Sequence, residues 1–133
     1  MVLIPDVVDD VVIHHIYSLL CGKELIRLSV VCHKWRQTTP NHVRVLDLRY
    51  NRIITDASLS LLVNLTNLSL SDNRIITDAS LSLLVNLTTL SLFDNSTITD
   101  TSLGLLVNLT NLDLSYNSTI TDASLSLLVN LEK

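Results

Sequence analysis

The sequence predicts an α/β solenoid, a stack of short coils with parallel strands along the concave face, preceded by a small all-α unit. Two observations carry that expectation. From Val43 to Asn130 the chain repeats every 22 residues, which places Leu46, Leu68, Leu90 and Leu112 in register. A fixed period in this range marks stacked repeats. Residues 1–40 lack the period and instead space apolar side chains by three or four, as helices do. The expected division is a helical unit over 1–40 and a repeat array over 43–133.

The four units are Val43–Asn64, Leu65–Asn86, Leu87–Asn108 and Leu109–Asn130. Within each, a stretch such as Asn67-Leu68-Ser69-Leu70-Ser71 alternates polar and apolar residues, the period of a half-buried strand. An asparagine follows every strand, at positions 51, 73, 95 and 117. Its amide can both donate to and accept from backbone groups of the turn in the neighbouring unit, so a column of them can satisfy the buried polar groups of the turns. Ile54, Ile76, Ile98 and Ile120 then point inward. The Thr-Asp pair that follows each of them is a helix-start signal. Leu59, Leu62 and Leu65, with their equivalents, bring the chain back to the core. No unit can cover its leucines alone, so neighbours must. The last unit runs out at Leu131-Glu132-Lys133 without a polar cap, which suggests a fragment, a truncated product or a covered edge.

Each unit therefore spells L-x-x-L-x-L-x-x-N followed by I-T-D-x-S-L-x-L-L-V-N, with Val43 in the leading position of the first. This spelling resembles a leucine-rich repeat, in the short form found in internalin-type units. The resemblance covers Val43 to Asn130.

Composition narrows the function classes. Hydrophobic residues make up 47% of the 133 but aromatics only 4%, so the apolar mass is aliphatic, suited to a repeat core rather than a ring-lined pocket. No apolar run is long enough to span a membrane. The start, MVLIPDVVDDVVIHH, has no basic region and is interrupted by Asp6, Asp9 and Asp10, unlike a secretory signal. On that reading the expected address is cytoplasm or nucleus. N-x-S/T matches such as those at Asn64, Asn86, Asn95, Asn108 and Asn117 are then repeat residues rather than glycan sites. Residues 1–52 hold seven Lys and Arg against five Asp and Glu, whereas 53–133 hold two against eight. So acidic an array would repel phosphate backbones, and nucleic acid is not an expected partner.

In the first forty residues, Val8, Val12, Ile16 and Leu19 or Leu20 form the apolar side of a helix over Val7 to Leu20. Pro5 suits a helix start, and Asp6, Asp9 and Asp10 suit its first turns. Gly22 is placed to end this helix, and Pro40 ends a second one carrying Leu25, Leu28, Val31 and Trp35. The residues LIRLSVVCHKW, Leu25 to Trp35, are similar to the second half of an F-box. Leu25, Leu28, Val31, Cys32 and Trp35 occupy matching positions. Ile16 and Leu20 fit the family's I-x-x-x-L, and Ile4-Pro5 stands where it has Leu-Pro. Pro5 lies 11 residues before Ile16, longer than the usual interval by about one helical turn.

The F-box resemblance implies binding to the Skp-family adaptor of a cullin–RING ubiquitin ligase. It assigns the apolar face to Ile4, Pro5, Ile16, Leu20, Leu25, Leu28, Val31 and Trp35, some as adaptor contacts and some as helix core. The residues alone also admit a simpler role, a cap over the exposed end of the first repeat. The two roles are compatible. Taken together, the resemblances imply a substrate-recognition subunit of an SCF-type ligase. The alternative is a repeat interaction module outside the ubiquitin system.

The varying positions on the concave side are the candidates for holding a protein substrate or peptide. They are Asp47, Arg49 and Tyr50 in the first unit, and Ser69, Ser71 and Asp72 in the second. Ser91, Phe93 and Asp94 follow in the third, then Asp113, Ser115 and Tyr116 in the fourth. Tyr50, Phe93 and Tyr116 stand out because aromatic side chains often anchor interfaces. Chemistry has little to build on. His14, His15, His33 and His42 all precede the repeats, and Cys21 and Cys32 lack a second closely spaced pair for zinc. The two glycines, Gly22 and Gly104, form no phosphate-binding motif. No enzymatic activity, cofactor or metal is expected.

Overall fold

The computed structural model describes residues 43–132. Four three-residue strands, β1 (Val45–Asp47), β2 (Asn67–Ser69), β3 (Thr89–Ser91) and β4 (Asn111–Asp113), pair in parallel in that order. Leu46, Leu68, Leu90 and Leu112 lie side by side along the sheet. Between and after them come four single-turn helices, α1 (Asp56–Leu59), α2 (Asp78–Leu81), α3 (Asp100–Leu103) and α4 (Asp122–Leu125). The repeat array is thus a leucine-rich-repeat solenoid. The two helices expected between Val7 and Pro40 lie outside the described residues.

The alternation read from the sequence sorts the strand side chains. Leu46, Leu68 and Leu90 are buried, as are Leu48, Leu70 and Leu92 two residues on. Ile54, Ile76 and Ile98 join them from the far side, with Leu59, Leu62, Leu65 and their counterparts filling the centre. In the fourth coil the equivalents Leu112, Leu114, Ile120 and Leu125 are only partly buried, because no further coil covers them among the described residues. The convex segments hold a surprise. Leu61, Leu83, Leu105 and Leu127 are about half exposed, as are Val63, Val85 and Val107, while the leucines beside them are buried.

Columns of polar side chains bind the coils to one another, and three of them stand out. The asparagine column is the most buried. Asn95 Nδ2 donates to the carbonyls of Leu70 and Asn73 in the preceding coil, at 3.1 and 2.9 Å. Its Oδ1 accepts from the amides of Thr97 and Ile98 in its own turn, at 3.0 and 3.1 Å. Asn73 does the same with Leu48, Asn51, Ile75 and Ile76. So the amide donates to the neighbouring coil and accepts within its own, where the sequence expectation had both directed at the neighbour.

The second column was not foreseen. Thr77, Thr99 and Thr121 cap their helices as expected, each accepting from the amide two residues on. The aspartate after each threonine was assigned the same local role, but it reaches outward instead. Asp56 accepts from the Thr77 amide and hydroxyl at 3.0 and 2.7 Å and from the Ser80 hydroxyl, all in the next coil. Asp78 repeats this with Thr99 and Ser102, and Asp100 with Thr121 and Ser124. The third column is simpler: Asn86, Asn108 and Asn130 donate to the carbonyls of Val63, Val85 and Val107.

These columns have measurable consequences. Asn73→Ala or Asn95→Ala strands buried carbonyls and amides in two coils and should cost about 1–3 kcal/mol in urea unfolding. Asn117→Ala should cost less, since Asn117 is half-buried and donates only to the Asn95 carbonyl. Burial raises the Asp56 pKa, but hydrogen bonds from Ser80 and Thr77 outweigh it and leave the group below its ordinary value. Asp100 is also lowered, by the hydroxyls of Ser124 and Thr121 and the Thr121 amide. A carboxylate depressed in the folded state stabilises fully above its unfolded pKa, and that stability is lost as pH falls through the folded value. Midpoints of urea unfolding should therefore drop on acidification below about pH 4. Asp100→Asn should flatten that drop while lowering the midpoint at neutral pH.

Candidate functional site

The concave face is a grid, four columns wide and four coils long. Nearest the strand starts stand Val45, Asn67, Thr89 and Asn111, then Asp47, Ser69, Ser91 and Asp113. Beyond them come Arg49, Ser71, Phe93 and Ser115, and last Tyr50, Asp72, Asp94 and Tyr116 at the turn. Three of these columns were expected from the sequence. The first was missed, although the alternation that puts Leu46 inside puts Val45 outside. Val45 is in fact 62% exposed.

A shallow groove of about 550 Å³ crosses this grid, running from Val45, Arg49 and Tyr50 to Phe93 and Asp113. Its floor is the row of serine hydroxyls. Ser71 is buried, its Oγ 3.2 Å from that of Ser69 and 3.0 Å from that of Ser91. Ser71 thus lies beneath the surface it was expected to offer. Ser91 in turn donates to Asp113 at 3.2 Å.

Charge divides the groove. At its first end Arg49 grips Asp47 through Nε and one terminal nitrogen, at 2.8 to 3.1 Å, so the pair is locally neutral. At the turns of the second and third coils, outside the groove lining, Arg74 lies 3.2 Å from Asp72 and 3.3 Å from Asp94, with a further bond to Ser96. One cation there faces two carboxylates. At the far end Asp113 accepts from the Ser115 amide at 2.9 Å. That bond, with help from the Ser115 and Ser91 hydroxyls, lowers its pKa and keeps it ionised. Among the described residues no basic side chain pairs with Asp113.

The aromatic residues gather at the same end. The rings of Phe93 and Tyr116 meet edge to face, centroids 5.2 Å apart at 67°. Phe93 is 37% exposed and Tyr116 83%. Together with Asp94, Asn117 and Ser118 they line a second shallow depression. Tyr50, at 67% exposed, stands apart at the first end.

The backbone holds the last column in an unusual shape. Asn51, Asn73, Asn95 and Asn117 each donate a backbone N–H to the carbonyl three residues back, closing a tight turn. The residue before each asparagine has positive φ: 54° at Tyr50, 48° at Asp72, 46° at Asp94 and 57° at Tyr116. Aspartate tolerates this region, but a bulky side chain does so rarely. Two tyrosines therefore sit in a conformation that works against them, a pattern often met where the side chain has a use.

Among the described residues no group of His, Cys, Asp and Glu could hold a metal ion, and no helix is long and apolar enough to cross a membrane. The adaptor-face residues Ile4, Pro5, Ile16, Leu20, Leu25, Leu28, Val31 and Trp35 lie outside the described residues.

A stack of parallel strands that turns a variable, grooved face to solvent defines a repeat protein of the recognition class. Comparison with family models places it further. An F-box domain model matches residues 6–44, and the Leucine Rich repeat model matches four times, at 39–63, 62–85, 84–107 and 106–129. The chain belongs to the F-box and leucine-rich-repeat proteins. No curated protein matches it.

Backbone strain at the turn is testable by itself. Tyr50→Asn replaces a residue ill suited to positive φ by one that adopts it readily, and should raise stability by up to about 1 kcal/mol in chemical denaturation. Unchanged or lower stability would show that the tyrosine's contacts outweigh the strain.

Proposed function

We propose that this protein is the substrate-recognition subunit of an SCF-type cullin–RING ubiquitin ligase. Its F-box would dock a Skp-family adaptor, and the concave face of its repeats would hold a protein substrate. The observation that carries this reading is the order of the matched domains, an F-box at 6–44 running directly into β1 at Val45. Such a protein catalyses nothing itself. It raises the effective concentration of a substrate lysine near a ligase-bound ubiquitin, and proximity of this kind accelerates transfer without new chemistry. The site of action would be the cytoplasm or nucleus, where that machinery works.

Two features support the division of labour. The acidic sign of residues 53–133 opposes binding to nucleic acid, which leaves protein as the fitting partner for the groove. The apolar residues matched to the F-box pattern, Leu25, Leu28, Val31 and Trp35, recur at helical spacing and would present one face to an adaptor.

Co-expression with a Skp-family adaptor should yield a heterodimer that survives size-exclusion chromatography. Replacing Leu28 and Val31 together by alanine should abolish it, while thermal melting of the repeats stays in place. Failure of the wild-type chain to form a complex at micromolar concentrations would exclude the adaptor role and favour a repeat interaction module outside the ubiquitin system.

A further inference from the structure

We infer that the groove selects an extended polypeptide segment bearing one lysine or arginine, seated between the Phe93–Tyr116 ring pair and Asp113. This deepens the proposed function and rests on its reading of the concave face as the substrate-binding surface. Three observations converge. The rings of Phe93 and Tyr116 meet edge to face and both reach solvent, Tyr116 the more. A cation attracts an aromatic face within about 6 Å of its centroid. Phe93 and Asp113 line the same groove, and that carboxylate has no basic partner among the described residues. A cation arriving over the rings thus meets a negative charge held in place by the Ser115 amide and the Ser91 hydroxyl.

The opposite end fixes the direction and length of the segment. There Arg49 already neutralises Asp47, and the exposed Val45 and Tyr50 line the groove with that pair and suit an apolar side chain. Three strand spacings of about 4.8 Å separate the first coil from the fourth, roughly 14 Å. An extended chain covers that span with about four residues. The segment recognised therefore carries an apolar residue and a basic one about four positions apart, joined by small or polar residues that cross the serine floor. Arg74, one cation between Asp72 and Asp94, leaves the adjacent turn with a net negative charge that also favours a basic segment. An acidic or phosphorylated segment would be repelled from this end.

A random heptapeptide library displayed on phage, selected on the immobilised full chain, tests the assignment. A parallel selection uses the Phe93→Ala, Tyr116→Ala double variant. Peptides retained by the wild type but not by the double variant should share a Lys or Arg about four residues from an apolar one. As synthetic peptides they should bind Asp113→Asn about two- to fivefold more weakly than wild type, the scale of an exposed ion pair. Raising the salt should weaken binding to the wild type and narrow that difference. Peptides that depend on the rings yet lack a basic residue, or that bind Asp113→Asn equally well, would overturn the basic-segment assignment while leaving the concave face as a binding surface. Recovery of no ring-dependent peptide would overturn both. Unchanged thermal melting of Asp113→Asn and of the double variant excludes misfolding as the cause.

Discussion

A side chain that bonds upward into one coil and inward to its own turn is what lets these coils exist. Each turn must close sharply to bring the chain back under the sheet, and closing it turns carbonyls and amides toward the interior. Left buried and unpaired, each would cost about 1–3 kcal/mol. Asn73 and Asn95 satisfy two amides of their own turns and two carbonyls of the coils before them. The leucine core can form only because this column removes the penalty. The arrangement also couples neighbours, since removing one coil strands the polar groups of the next.

The aspartates of the convex side extend the same logic to the other edge. Each carboxylate receives an amide and two hydroxyls from the following coil, so the sheet side and the helix side are tied independently. With both edges pinned, the register of the strands is fixed, and with it the grid of the concave face. That rigidity matters for recognition. A groove whose walls are set beforehand loses little entropy when a flexible segment settles into it. The concave positions can differ from coil to coil because the asparagine and aspartate columns tie the coils independently of them, while Ser71, Ser91 and Asp113 add bonds of their own between coils.

Phe93, Tyr116 and Asp113 show how a repetitive array acquires a local departure from its own pattern. The columns that contain them hold serine, arginine, aspartate or, at Tyr50, a second tyrosine in other coils. Coils three and four bring the two rings together diagonally across the sheet, a contact between positions 23 residues apart that no single unit contains. Tyr50 and Tyr116 also occupy the left-handed position that aspartate fills more readily in the middle coils. The first and fourth coils are thus the more strained, and each carries a tyrosine at that turn.

The 22-residue spelling by itself determined the strand register, the buried leucine and isoleucine columns and the structural use of the asparagines. Each follows from a period that admits one stacking. Leu25 to Trp35 likewise disclosed the F-box, whose match covers 6–44. Tertiary structure decided the rest. Asp56, Asp78 and Asp100 spell a helix cap, but their partners lie 21 and 24 residues ahead, beyond any local pattern. Ser71 alternates outward in sequence and is buried in space because hydroxyls on both flanking positions close over it. Local sequence sets which way a side chain leaves the backbone; only the neighbouring coil sets what it meets.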